Sequence, residues 1–111
     1  MSAIDERIKQ QIGGDDVVLY MKGTPVFPMC GFSAAVVQVL SQAGVSFQSY
    51  NILDDMDLRD GLKKFSKWPT FPQLYVKGEL VGGCDIVREM HASGELREFL
   101  AEKGVTQKAS A

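Results

Sequence analysis

The stretch FPMCGFSAAVV, residues 27–37, carries a single cysteine. A thiol redox centre commonly holds two, spaced C-x-x-C, but the fourth position here is Ser33. The residues after Cys30 read as a helix with Phe32, Val36, Val39 and Leu40 facing inward. Cys30 therefore stands at a helix mouth, where first-turn N–H groups and the helix dipole favour negative charge. Both effects lower a thiol pKa, and the thiolate is the nucleophile and the metal ligand. A buried, inert cysteine is the competing reading, since free cysteine is often a small core residue. Pro28, Gly31 and Ser33 on either side do not look like core.

A second constellation is WPTFPQLYVKGELVGGCD, residues 68–85. Phe71-Pro72, directly before a strand, is a candidate cis peptide, with an ordinary proline turn as the alternative. A cis bond there would leave the Phe71 backbone unused by the sheet, and an extended peptide could add to it like a short strand. Gly82-Gly83 leads into a helix start at Cys84 and Asp85, whose exposed N–H groups suit a carboxylate. Asp85 could accept from an ammonium, cap its own helix, or do both. Lys22 and Arg59 are isolated cations. Arg59 follows the inward Leu58 and could lean over the sheet's edge; taken singly, each is more often just a solvated surface charge. His91 reads as a surface or packing residue, and the acidic run around Asp54 and Asp55 as a capped helix start. Two cysteines, one histidine and no C-x-x-C cannot assemble a four-ligand Cys/His metal site within one chain.

These residues need elements to hold them. Ile4, Ile8 and Ile12 recur at helical spacing behind a capping signal at Ser2 and Asp5, with Gly13-Gly14 as the stop. VVLYM, 17–21, is a buried-strand run, and residues 45–53 are a second strand candidate. A third helix follows Asp54 or Asp55, with Leu58, Leu62 and Phe65 inward. Residues 73–82 form a hairpin turning at Lys77-Gly78. A helix from Cys84 to about His91 breaks at Gly94, and a last one spans 95–103. The order α-β-α-β-α-β-β-α-α predicts an α/β domain with a four-stranded mixed sheet flanked by helices on both faces. That is the thioredoxin-like plan, one of several layouts that order alone permits. One domain is expected over residues 1–111, with its core at about 4–103 and a frayed tail at 104–111.

With 111 residues, 45% hydrophobic and 23% charged, the composition is that of a globular domain. A formal net charge of −2 provides no footprint for nucleic acid or an anionic membrane. No apolar run approaches a membrane span. The N-terminus is acidic and amphipathic, unlike a secretory signal or an Arg-rich transit peptide. Two distant cysteines suggest a reducing compartment, and cytoplasmic localisation is expected.

Taken together, MKGTP…CGFSAAVVQVL, WPTFPQLYVKGELVGGCDIV and the SGEL near the end occur in order and at spacing that resemble the monothiol glutaredoxins of the CGFS class. The short, single-domain bacterial type is the nearest form, and the match spans about residues 4–103. The resemblance implies a glutathione site. Cys30 would be the active thiol, and Lys22 and Arg59 would pair with the glycine carboxylate. The Phe71 backbone, held by cis-Pro72, would bind the cysteinyl unit. The N–H groups of Cys84 and Asp85, with the Asp85 carboxylate, would hold the γ-glutamyl end. It also implies a bridging [2Fe–2S] cluster in a homodimer, ligated by two Cys30 thiolates and two glutathiones. Gly31 would leave room for the cluster and Phe32 would shield it. The expected role is cluster assembly, carriage and transfer to apo iron–sulfur proteins, with a BolA-type protein as a further partner. The alternative is a glutathione-dependent oxidoreductase acting on mixed disulfides, which needs only one cysteine.

Overall fold

The computed structural model describes residues 2–108. Helix α1 spans Ala3–Gly14 and is capped by Ser2, whose hydroxyl accepts from the Asp5 N–H at 3.2 Å. Strand β1, Val17–Met21, follows. Helix α2 is Gly31–Gln42, strand β2 Gln48–Asn51 and helix α3 Met56–Ser66. Strands β3, Gln73–Val76, and β4, Glu79–Gly82, form a hairpin. Helices α4, Cys84–Ser93, and α5, Glu95–Glu102, complete the order.

The sheet order is β2-β1-β3-β4, with β1 and β2 parallel and the other two pairs antiparallel. This is the thioredoxin-like fold with its mixed four-stranded sheet. Strand β1 shows why both faces are covered. Val17, Leu19 and Met21 enter one core with Val36, Leu40, Val87, Leu96 and Leu100 of α2, α4 and α5. Val18 and Tyr20 enter the other with Ile8, Ile12, Leu58 and Leu62 of α1 and α3. The period-two alternation of side chains thus sorts one strand into two dry layers. Tyr20 stacks on Tyr50 at 5.4 Å and meets Tyr75 edge-on at 5.6 Å, while its hydroxyl donates to Gln11 Oε1 at 2.9 Å. Burial pushes the Tyr20 phenol well above its ordinary pKa.

Helix α3 begins at Asp55, whose carboxylate accepts from the Leu58 N–H at 3.1 Å and pairs with Arg7 of α1. The Arg7 guanidinium and the Leu58 N–H hold that carboxyl below the usual range. Strand β2 is shorter than the run 45–53, and Ile52 is fully buried just beyond it. The chain after α5 corrects the expectation of fraying. Val105 is buried and its N–H donates to Leu100 O at 2.9 Å. Lys108 N donates to Gly44 O, also at 2.9 Å. Residues 109–111 of the expected tail lie outside the described residues. No helix among the described residues is long and apolar enough to cross a membrane.

Candidate functional site

Two stretches leaving the sheet build the site. The first runs from the end of β1 to the start of α2. Gly23 bridges Pro28 in antiparallel fashion, and Met29 N donates to Lys22 O at 2.9 Å. Inside this small hairpin, Thr24 N and Phe27 O pair at 3.2 Å, and Phe27 N and Thr24 O at 3.0 Å. Gly23 N donates to Asn51 Oδ1 at 2.9 Å, which fastens the hairpin to the end of β2. The turn requires glycine: Gly23 has φ of 93°, and a Cβ there would lie 2.5 Å from Phe27 O.

This hairpin delivers Cys30 to the N-cap of α2, with extended backbone at φ −153° and a half-buried side chain. Its thiol pKa is lowered. The Ser33 backbone N–H has the largest effect, opposed in part by partial burial; the Phe32 N–H, the Lys22 charge and the Ser33 hydroxyl also favour the thiolate. The helix-mouth argument therefore holds at this position. Ser33 departs from expectation, because it is fully buried. Its hydroxyl accepts from Lys22 N at 3.1 Å and so links the end of β1 to the first turn of α2. Phe32 departs the other way. Expected inward, it is 61% exposed, although Ser33 in the same turn is buried. Gly31 is exposed, and a Cβ there would meet nothing within 4 Å.

Replacing Ser33 with Ala removes the acceptor for Lys22 N and one donor to the thiolate. We expect a loss of about 1–3 kcal/mol, the cost of a buried unpartnered N–H. The pH midpoint for iodoacetamide alkylation of Cys30 should rise in that variant. It should remain below the ordinary thiol range, because the dominant Ser33 backbone N–H is retained. An unchanged alkylation midpoint would remove the hydroxyl from the account.

The second stretch is the segment from Trp68 to Pro72, between α3 and β3. The Phe71-Pro72 peptide is cis. The β1–β3 ladder ends at Gln73, so the Phe71 N–H and C=O take no part in it, while the Phe71 ring is buried in the core. Gln73 holds the loop from beneath. Its fully buried amide donates to Trp68 O at 3.0 Å and Thr70 O at 3.2 Å. Across from this loop, Gly83 caps α4 and presents Cys84 and Asp85 in the first turn. A Cβ on Gly83 would sit 3.3 Å from Pro72 O and 3.4 Å from Trp68 Nε1, so the helix start lies close against the loop.

Between these stretches is a cleft of about 380 Å³. Lys22, Arg59, Phe71, Pro72, Cys84 and Asp85 all line it, and so does Phe32. Cys30 and Gly31 are not in its wall. The thiol stands at its edge, near enough to Lys22 and Phe32 to feel the charge of one and the N–H of the other. Lys63, Trp68 and Thr70 also line the cleft and were not singled out from the sequence. Lys63 follows Arg59 by one helical turn, and that spacing was the available signal. Trp68 Nε1 is buried without a hydrogen-bond partner. The lining thus includes three cations, Lys22, Arg59 and Lys63, together with a helix start and its acid, Asp85. Such a lining suits a ligand that carries carboxylates and an ammonium. Among the described residues, no three His, Cys, Asp or Glu side chains converge to hold a metal ion.

This fold, with one activated cysteine at the mouth of α2 and a cis-proline loop beside it, is that of a glutaredoxin. The glutaredoxin family model matches residues 17–81, and the chain belongs to that family. Its relatives are of the monothiol kind. It is 50% identical to Glutaredoxin 4 of Escherichia coli K12 over 109 residues, covering 98% of this chain and 95% of that protein. It is 57% identical to Monothiol glutaredoxin-S11 of rice over 103 residues, 93% of this chain but only 21% of that longer protein. Among solved structures, a monomeric truncated mutant of Trypanosoma brucei 1-C-Grx1 superposes with a TM-score of 0.87 at 38% identity, covering 99% of this chain and 100% of that one.

Proposed function

We propose that this glutaredoxin binds glutathione in the cleft and, with it, carries a [2Fe–2S] cluster shared between two copies of the chain. One observation carries the reading: a single thiolate-favouring cysteine stands at the edge of a cleft whose charges suit a thiol tripeptide. Lys22 and Arg59 would hold the glycine carboxylate. The Phe71 backbone would align the cysteinyl unit as an added strand. The first-turn N–H groups of α4 would receive the γ-glutamyl carboxylate, and Asp85 its ammonium. Glutathione would then present its sulfur beside Cys30.

The residues present fit the cluster as cargo. A [2Fe–2S] centre takes four sulfur ligands. One chain offers Cys30 alone at an accessible position, since Cys84 is buried. One thiolate and one glutathione per chain, doubled in a homodimer, complete the set. The open space over Gly31 leaves room, and the exposed Phe32 stands where it can shield the sulfur. The cluster is what the protein would hold and pass to an apo-protein. Half of its ligands would be exchangeable, which suits transfer. A BolA-type protein could replace one of the two chains. Free thiols at Cys30 and Cys84 suit a reducing cytoplasm.

The lowered thiol pKa also supports glutathione-dependent reduction of mixed disulfides as the second reading. The Cys30 thiolate would attack the glutathionyl sulfur, the protein thiolate would leave, and Cys30 would carry the glutathionyl group until a second glutathione released it as the disulfide. Ser33 leaves no neighbouring thiol to resolve a protein mixed disulfide.

Glutathione titration followed by the fluorescence of Trp68, the sole tryptophan, tests the cleft. We expect saturable binding, weakened about three- to tenfold by Lys22→Ala or Arg59→Ala, part of one charge-assisted hydrogen bond each. Unchanged affinity in both variants would overturn the assignment. Rapid mixed-disulfide reduction without any cluster would favour the oxidoreductase.

A further inference from the structure

Met56 joins an oxidisable side chain to the cleft. It is the first residue of α3, directly after the capping Asp55, and is 52% exposed. Its thioether sulfur accepts from Arg59 Nη1 at 3.8 Å. Arg59 lines the cleft. A thioether is a weak acceptor, so the contact leaves the guanidinium free to turn its fork toward a carboxylate.

We propose that Met56 is a redox-modification site, at which a hydroperoxide converts the thioether to a sulfoxide that draws Arg59 away from the ligand carboxylate. The inference rests on reading the cleft as the glutathione site. In the step, the peroxide O–O bond breaks and one oxygen bonds to the Met56 sulfur. The sulfur loses two electrons, and the peroxide is reduced to water or an alcohol. A thiol-dependent sulfoxide reductase reverses the change and releases the oxygen as water.

The geometry determines the direction of the effect. A sulfoxide oxygen set to one side of the line from the Met56 sulfur to Arg59 Nη1 comes within hydrogen-bonding distance of that nitrogen. A sulfoxide oxygen is a far stronger acceptor than the sulfur it replaces. With one Nη1 hydrogen held by the sulfoxide, the guanidinium is kept turned toward Met56, and its remaining N–H groups are less free to swing onto a ligand carboxylate. Burial restricts which methionines respond: Met21 is fully buried and Met90 packs against the core. Met29 is exposed as well, but the thioether that meets a cation of the cleft wall is that of Met56, through Arg59.

The test uses the full wild-type chain, with its thiols returned to the reduced state by dithiothreitol once the peroxide is removed, so that thiol oxidation does not intrude. Hydrogen peroxide is applied, and mass spectrometry of the Met56 peptide follows the added oxygen. Glutathione affinity is then read from Trp68 fluorescence. We expect oxidised protein to bind glutathione about three- to tenfold more weakly, and methionine sulfoxide reductase to restore the affinity. The same protein carrying Met56→Leu, oxidised equally at Met29, should not change. Equal affinity before and after oxidation at Met56, or the same loss in the Met56→Leu protein, overturns the proposal. Failure of the unoxidised protein to bind glutathione overturns the reading of the cleft instead, and this inference falls with it.

Discussion

Cys30→Ser is expected to leave a folded, colourless protein that cannot hold iron. Reconstituted without air from iron, sulfide and glutathione, the wild-type chain should turn brown as a dimer with one [2Fe–2S] cluster. The serine variant should stay monomeric, with no absorption from the cluster. Its stability should change by no more than about 0.5 kcal/mol, because the substitution is nearly isosteric and the site only half-buried. Removing glutathione by dialysis should bleach the wild-type protein, since two of the four sulfurs would come from the tripeptide. Cys84→Ser should keep its colour, because the α4 start would contribute N–H groups rather than sulfur. Iron counting, absorption and size-exclusion chromatography read these outcomes. Equal iron binding without glutathione would overturn the ligand assignment, as would loss of the cluster in a folded Cys84→Ser protein.

Gly23→Ala should have the largest effect on the scaffold around the thiol. The residue sits at φ 93°, where a non-glycine residue costs roughly 1–3 kcal/mol. The added Cβ would also lie 2.5 Å from Phe27 O and 2.6 Å from Met29 N, both backbone atoms that cannot swing aside. The hairpin would have to open, loosening the Gly23–Asn51 bond and the approach to Cys30. We expect a fall in melting temperature of roughly 10 °C or more, together with slower alkylation of Cys30. Gly78→Ala is the matched control. Its φ is 80°, but a Cβ there meets nothing within 4 Å, so it feels only the backbone strain. If both variants lost the same stability and alkylated alike, the contacts around Gly23 would not matter.

Where the sequence reading succeeded, the signals were local or periodic. Strand β1 matched Val17–Met21 because five apolar residues between Asp16 and a Lys-Gly turn fit a strand buried on both faces. Asp55, Gly94 and the Lys77-Gly78 turn were visible as caps and breakers. Where it failed, the cause was contact at long range. Ser33 is polar and looked exposed, yet it is buried because Lys22, eleven residues earlier, needs its oxygen. Phe32 is apolar and looked inward, yet it is exposed where the turn faces the cleft rather than the core. Val105 was taken for frayed tail because nothing nearby in sequence marks the core it enters. The cleft combines residues from the segment after β1, from α2, α3, the proline loop and α4, and only the resemblance to a family brought Lys22, Arg59 and Asp85 together. Lys63 and Trp68 line the cleft too, but their residue types alone point to no ligand.

The placement of β1 also sets how the protein opens. All five of its residues are buried, and it is paired to a neighbour on each side. Its amides are therefore expected to exchange slowest, through global unfolding. A few residues on, the hairpin at 23–29 is held by a handful of bonds, and Val26 and Phe27 stand 92% and 73% exposed. That exposed tip can move while the sheet and the Gly23–Asn51 anchor stay closed. Cys30 therefore sits between a strand buried on both faces and a hairpin whose tip stands in solvent. Access to its sulfur can change on the timescale of a loop, while the charges of Lys22 and Arg59 stay anchored to elements that persist.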